Sequence, residues 1–250
     1  MKVLSIDLDY IMGPVIEIYQ SLRWDDNPTM RWKMLYETSD FKESNFYIDQ
    51  AALLFCYDTF LKSLKNAKTV SFGYEHDAIL YEIGDSKNLD IVNIDHHDDI
   101  FHIYDRYKDF VDDILDFEYD AIANHNWVNE GNWGAWLFSQ EKLNSFTWIH
   151  NPTSRNVDRV DYINRLMGDK FHHCFRNEYE FVDYNFDHIF VCLSPQYIPQ
   201  THWHYFTMFM MAYEEYTGKD ANVISNKKFE NEIRFKKVTD EILYKRSNGR

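Results

Sequence analysis

The sequence is poor in the residues that loosen, kink or cross-link a chain. Eight glycines and five prolines in 250 residues exclude collagen-like and low-complexity architectures and leave little material for loose joins. No Gly/Pro/Ser-rich linker divides the chain and no segment repeats, so residues 1–250 are expected to form a single domain. The three cysteines, Cys56, Cys174 and Cys192, stand far apart. An odd, sparse count without metal-ligand spacing excludes a disulfide scaffold and fits a reducing compartment. Long apolar runs are also lacking. The longest, such as residues 51–57 and 208–213, fall far short of the ~20 residues that a bilayer span needs. Asp7 and Asp9 interrupt the N-terminal apolar stretch where a signal peptide needs continuity. The expectation is a cytoplasmic protein with no membrane partner. Basic residues are outnumbered, 26 against 41 acidic ones, for a formal net charge of -15. That field repels phosphate backbones and attracts cations, which argues against a nucleic-acid partner and suits a basic or metal-requiring substrate. The same excess also serves solubility alone.

What the chain does hold is a 45% hydrophobic content with 18% aromatics, enough for one large core and for an aromatic-lined cleft. Short β-branched runs at residues 2–8, 69–74, 89–94, 146–150 and 188–193 read as buried strands. Helical spacing is clearest over residues 46–66, where Ile48, Ala51, Ala52, Phe55, Thr59, Leu61 and Leu64 recur. Residues 76–83, 131–143, 158–167, 204–217 and 228–244 are further helix candidates. Strands alternating with helices predict a three-layer α/β/α fold with a mainly parallel sheet, in which chemistry gathers beyond the carboxyl ends of the strands.

Polar clusters fall at those ends. Ser5-Ile6-Asp7-Leu8-Asp9 closes the first strand. Residues two apart in an extended chain share a side, so the two carboxylates converge and need a cation between them, unless one caps a turn and the other is solvated. Asn93-Ile94-Asp95-His96-His97-Asp98-Asp99 follows another apolar run. Asp95, His97 and Asp99 share one parity; His96 and Asp98 face away and take structural roles. Carboxylate with imidazole suits Mn²⁺, Fe²⁺ or Zn²⁺. His76, in Gly73-Tyr74-Glu75-His76-Asp77, reads alone as structural and gains a ligand role only beside the other two clusters. Together they supply four carboxylates and two imidazoles, more than one ion needs and suited to a pair of ions roughly 3.5–4 Å apart. The stretch Asn124-His125-Asn126-Trp127-Val128-Asn129-Glu130-Gly131-Asn132-Trp133 offers a carboxylate and a ring face for a cationic group, or equally a helix-capping turn. Ser194-Pro195 opens a rigid loop at the same edge, where it lines a cleft; His202 and His204 in it read as structural.

These clusters resemble the metal motifs of the ureohydrolase superfamily, which includes arginases, agmatinases and, more distantly, histone deacetylases. The Asp-x-His-x-Asp motif is matched by Asp95, His97 and Asp99, and the Ser-x-Asp-x-Asp motif by Ser5, Asp7 and Asp9. The Gly-Gly-Asp-His motif is matched loosely by Gly73, Tyr74, Glu75 and His76. The resemblance implies two Mn²⁺ ions bridged by Asp95 and Asp7, with His76 and Asp99 completing one site and His97 and Asp9 the other. The Ser-x-Asp-x-Asp motif comes last in ordinary arginases and first here, which looks like a circular permutation. The usual Asp-Pro after the second aspartate is replaced by Met12-Gly13-Pro14. The chain is most similar to the peptide arginases, through Glu130-Gly131-Asn132-Trp133, the later Phe146-Thr147-Trp148-Ile149-His150-Asn151-Pro152 and Ser194-Pro195. That likeness implies conversion of peptidyl arginine to peptidyl ornithine plus urea in a ribosomally made precursor peptide, by attack of a metal-bridging hydroxide on the guanidinium carbon. Glu130 would hold the guanidinium, and Asn132, Trp133 and Ser194 would line the substrate site. His125, with His102 behind it, would move the proton to the leaving amine.

Three other readings remain. A Mn-dependent phosphoesterase of the Asp-His-His type would use Asp95-His96-His97, yet no glycine-rich phosphate loop or basic cluster accompanies it. An amide deacetylase on the same scaffold needs the metal face without a guanidinium-binding carboxylate. A metal-stabilised peptide-binding protein would unfold on metal loss and turn nothing over. Oligomeric state is open.

Overall fold

The structure is a computed structural model that describes residues 1–13, 28–38, 42–100, 128, 130–154 and 159–224. Its strands, in chain order, are β1 (Lys2–Asp7), β2 (Met12–Gly13), β3 (Tyr47–Ile48), β4 (Thr69–Gly73), β5 (Leu89–Ile94), β6 (Leu143–His150), β7 (Phe171–Phe175), β8 (His188–Cys192) and β9 (Val223–Ile224). Strands β2 and β3 form a separate antiparallel pair. The other seven make one sheet in the order β7-β6-β5-β1-β8-β4-β9, and every pairing in it is parallel.

Both faces of the sheet are covered, which is why its central strands read as near-continuous apolar runs. Successive residues of β1 enter opposite cores: Leu4 and Ile6 pack with one cluster and Val3 with the other. On the first face lie α1 (Pro28–Thr38), α2 (Gln50–Leu64) and, much later in the chain, a helix over His204–Thr217, contributing Trp32, Cys56, Phe60, Phe206 and Phe209. On the second lie α3 (Leu80–Ile83), α4 (Trp133–Ser139) and α5 (Val160–Met167), contributing Ile83, Trp136 and Ile163. The helix over His204–Thr217 is thus α6. The predicted three-layer α/β/α architecture is present.

The chain leaves β1 in one direction, through α2 to β4, and leaves β5 in the other, through α4 and α5 to β6 and β7. Because βαβ crossovers have one hand, opposite directions along the sheet put their helices on opposite faces. The loops after neighbouring strands β1 and β5 therefore diverge, opening a crevice at the carboxyl edge. The register sets Ile6 beside Ile94 and Asp7 beside Cys192, so Asp7 and Asp95 emerge level on adjacent strands.

Helix α2 starts where a cap stops the preceding extended segment. The Asp49 carboxylate accepts from the Ala51 and Ala52 amides at 2.9 and 3.0 Å, satisfying two donors of the first turn. Its other oxygen accepts from Arg176 Nη1 at 2.8 Å. Ala52, Cys56 and Phe60 then recur every four residues on the buried face. The helix is shorter than the predicted 46–66, because Tyr47 and Ile48 pair with β2. The predicted 131–143 helix also shortens to α4, and Leu143 begins β6. Residues 76–83 form a 3₁₀ turn, His76–Ile79, before the single turn of α3. Strand β7 and helix α1 are additions to the predicted set. The predicted helix at 228–244 lies outside the described residues. No helix among the described residues is long and apolar enough to cross a membrane.

Burial works to raise the Asp49 pKa, but Arg176, the Ala52 amide and Asn151 outweigh it and hold the carboxyl below its ordinary value. A depressed carboxylate stabilises the fold above the unfolded pKa of ~3.9 and loses that effect as pH falls through the folded value. Asp49→Ala is expected to cost about 1–2 kcal/mol near neutral pH, measured by denaturant unfolding. The gap from wild type should shrink in the same measurement at about pH 3.

Candidate metal centre

The carboxyl edge of β1, β4, β5 and β8 gathers the polar groups. Strand β1 stops at Asp7 and turns at once into a 3₁₀ turn, Leu8–Ile11. The Asp9 amide donates to Asp7 Oδ1 at 3.0 Å, so the turn, rather than extended-strand parity, brings the second carboxylate back to the first. The segment after β5 behaves alike. The strand ends at Ile94, the His97 amide donates to Asp95 Oδ1 at 2.7 Å, and Asp99 stands at φ +57°. His76 follows β4, after Gly73. A Cβ at position 73 would lie 2.5 Å from Phe190 Cζ, and the Phe190 ring stacks on His76 with centroids 6.1 Å apart. Glycine there lets Phe190 stay behind the imidazole.

All six predicted ligands converge. His76 Nδ1 lies 3.2 Å from Asp7 Oδ2, 3.1 Å from Asp95 Oδ2 and 3.1 Å from Asp99 Oδ2. It is close to all three and aligned for a hydrogen bond with none. His97 Nδ1 lies 3.0 Å from Asp9 Oδ2 and 3.4 Å from Asp95 Oδ1. Two groups of donors result, Asp7 with His76 and Asp95, and Asp9 with Asp95 and His97, the donor atoms of each lying within 4.8 Å of one another. Asp95 belongs to both, presenting Oδ2 to the first and Oδ1 to the second. Asp99 joins the first group through His76. These buried Asp and His groups could hold a metal ion: donors of this kind suit Mn²⁺, Fe²⁺ and Zn²⁺. Both oxygens of Asp9 are buried without a hydrogen-bond partner, the state a carboxylate avoids unless a cation meets it.

The surroundings fix these ligands. Ser5 Oγ is 2.6 Å from His76 Nε2, and the Ser194 hydroxyl donates to Asp7 Oδ2. Asn93 Nδ2 and Trp133 Nε1 donate to Asp99 Oδ2 at 3.0 and 2.8 Å. Trp148 Nε1 donates to the Asp95 carbonyl at 3.0 Å. Such outer contacts set ligand orientation. His96 faces away, as its parity predicts. Its ring nitrogens meet Ser154 Oγ at 2.9 Å and the Met12 carbonyl at 3.0 Å.

The cluster is electrostatically unsettled. Burial pushes the Asp9 carboxyl up to about 8, the Asp7 and Asp95 charges add to that, and His97 offsets part of it. Asp99 is raised well above the carboxylate range by burial and by Asp95. Asp95 moves the other way: burial opposes ionisation, but His76 and His97 outweigh it. Burial works to lower His76, yet Asp99, Asp7 and Asp95 hold it well above its usual value. Protons thus take the place a cation would fill, and metal binding would displace them.

The remaining predicted residues divide. Trp133 and Asn132 are fully buried and Ser194 is 2% exposed. Trp133 and Ser194 spend their polar groups on Asp99 and Asp7, which makes them supports of ligands. Glu130 is half-buried in the turn two residues before Asn132, the N-cap of α4. His125 and His102 lie outside the described residues. Sequence reasoning assigned no role to Asn93 or to Tyr197. The signal for Asn93 was a lone amide inside an apolar strand. Tyr197 lies over His97 with ring centroids 5.0 Å apart, in the loop that the sequence had placed at this edge without singling out the ring.

Asp9→Asn removes a buried carboxylate that has no hydrogen-bond partner and only the half-buried His97 imidazole near it to offset the burial. It is expected to raise the melting temperature of the metal-free protein and to remove most of the rise that Mn²⁺ produces. For wild type that rise corresponds to about 2.7 kcal/mol at a hundredfold excess of free ion over Kd. Differential scanning fluorimetry with and without Mn²⁺ measures both effects.

No family model matches the chain, and neither a curated protein nor a solved structure does; the chemistry of the site rests on its own geometry.

Proposed function

We propose that this chain is a dinuclear-metal hydrolase, loaded with two Mn²⁺ ions, that converts arginine in a ribosomally made precursor peptide to ornithine and releases urea. The observation that carries this reading is the placement of Asp95, with one carboxylate oxygen toward each of two donor groups. A bridging carboxylate between two sets of Asp and His donors is how a two-ion centre is built. The donors that converge are also those that match the ureohydrolase motifs, in the pairs His76 with Asp99 and His97 with Asp9.

A bound ion pair supplies Lewis acidity and a water acidified enough to act as nucleophile near neutral pH. The chain does the rest. Asp7 and Asp95 hold the two positions together; Ser5 orients His76, and Ser194 orients Asp7. Glu130, at the turn before α4, grips the guanidinium through charge-assisted hydrogen bonds. The net charge of -15 favours approach of a cationic side chain. Water oxygen adds to the guanidinium carbon, the bond from that carbon to the side-chain nitrogen breaks, and that nitrogen takes up a proton as it leaves. His125 is assigned the proton transfer. The Asp-His-His phosphoesterase reading gains little here, since His96 turns away from the donors and Asp99 would stand without a task.

The test is release of urea and ornithine from an arginine-containing peptide, with and without Mn²⁺, beside free arginine. Mn²⁺-dependent release from the peptide alone is expected. Asp95→Asn should abolish it, and Glu130→Gln should raise KM at unchanged metal content. Hydrolysis of a phosphodiester or an acetyl-lysine peptide instead would keep the metal centre and discard the guanidinium chemistry.

A further inference from the structure

We infer that Trp133 is a positioning residue of the metal centre, holding Asp99 in the orientation that metal binding requires. This rests on the two-ion reading above. Asp99 is neither in a strand nor in a helix, and its φ of +57° is one that few side-chain-bearing residues adopt. No strand or helix ladder holds this residue, and neighbouring side chains fix its carboxylate. Two donors do so, Trp133 Nε1 at 2.8 Å and Asn93 Nδ2 at 3.0 Å, both on Oδ2. That is the oxygen 3.1 Å from His76 Nδ1.

The indole acts on both partners of this pair. Its edge donates to Asp99, and its ring packs on His76 with centroids 5.0 Å apart and against Phe146 at 5.6 Å. The ring is 0% exposed, so no face is open to a substrate cation. The backbone carries a second, independent sign of the same brace. At Gly134, a Cβ would lie 3.3 Å from the Asp99 carbonyl oxygen and 3.0 Å from Phe146. The first two residues of α4 are thus fitted against Asp99, one by its side chain and one by lacking a side chain. Glu130 stands three residues before Trp133, so the same helix start braces a ligand and presents the proposed guanidinium-binding carboxylate.

The experiment is calorimetric titration of Mn²⁺ into the full-length wild type and Trp133→Phe. Phenylalanine keeps an aromatic ring against Phe146 and lacks the donor. Wild type is expected to bind two equivalents. In the variant one equivalent should weaken about 10- to 100-fold, with the other unchanged and the metal-free melting temperature close to wild type. Asn93→Ala removes the second donor to the same oxygen and a longer one, 3.4 Å, to Asp95 Oδ2, which faces the same donor group; it should show the same one-site loss and carries the test of the Asp99 brace if Trp133→Phe does not fold. Wild-type affinity at both positions, or equal weakening of both, overturns the inference and leaves the two-ion centre standing. Failure of the wild type to bind Mn²⁺ overturns the centre itself and this inference with it.

Discussion

An ionised carboxylate taken out of water without a partner costs several kcal/mol, and this fold buries four carboxyl groups around two imidazoles. Asp7, Asp9, Asp95 and Asp99 are each at most 3% exposed. No lysine or arginine within 4 Å pairs with any of them among the described residues; their close partners are His76 and His97. Two imidazoles cannot neutralise four carboxylates, and burial with mutual repulsion raises Asp9 and Asp99 while the histidines hold Asp95 low. A cation could relieve an arrangement so costly to the empty fold, and the placement of Asp95 between two donor groups is the feature on which the proposed pair of ions rests.

The rest of the structure keeps that cluster in place. Parallel pairing sends the carboxyl ends of β1, β4, β5 and β8 to one edge. The divergence of the loops after β1 and β5 opens the crevice there. Tight turns then fold the ligands back on themselves: Asp7 caps the turn that carries Asp9, and Asp95 receives the amide of His97. Outside them, Ser5, Trp133 and Ser194 each give a hydrogen-bonding group to one member of the cluster, and the Asn93 amide gives to two, Asp99 and Asp95. Rigidity at the site thus comes from buried strand ends and short local hydrogen bonds.

Much of this was legible in the sequence, for identifiable reasons. The apolar run of β5 leading directly into Asp95-His96-His97-Asp98-Asp99 marks a buried strand delivering polar groups to an edge; His96 does turn away, toward Ser154 and Met12, although the strand has already ended at Ile94. The layered α/β architecture follows from alternating periodicities. The path by which Asp9 reaches Asp7 was not legible, since the apolar run predicts a continuous extended chain and does not reveal that the strand gives way to a 3₁₀ turn at Leu8, closed by the Asp9 amide on Asp7 Oδ1. Strand β7 escaped because its exposed residues include His172 and His173, which break an apolar signal. Helix α1 escaped because, among its described side chains, Trp32 and Leu35 are the large apolar ones that are buried, too few to give a periodic signal. The support role of Trp133 depends on where its indole N–H points, which only tertiary packing decides. A ring that sequence pattern marks for substrate therefore lies sealed behind Asp99.

The central claim is a pair of ions sharing Asp95. Electron paramagnetic resonance of the protein loaded with two equivalents of Mn²⁺ tests it most directly, because two Mn²⁺ ions bridged by one carboxylate are spin-coupled and isolated ions are not. The account predicts an exchange-coupled spectrum that reverts to an isolated-ion signal, or to free Mn²⁺, in Asp95→Asn. An uncoupled six-line spectrum from the fully loaded wild type would contradict it.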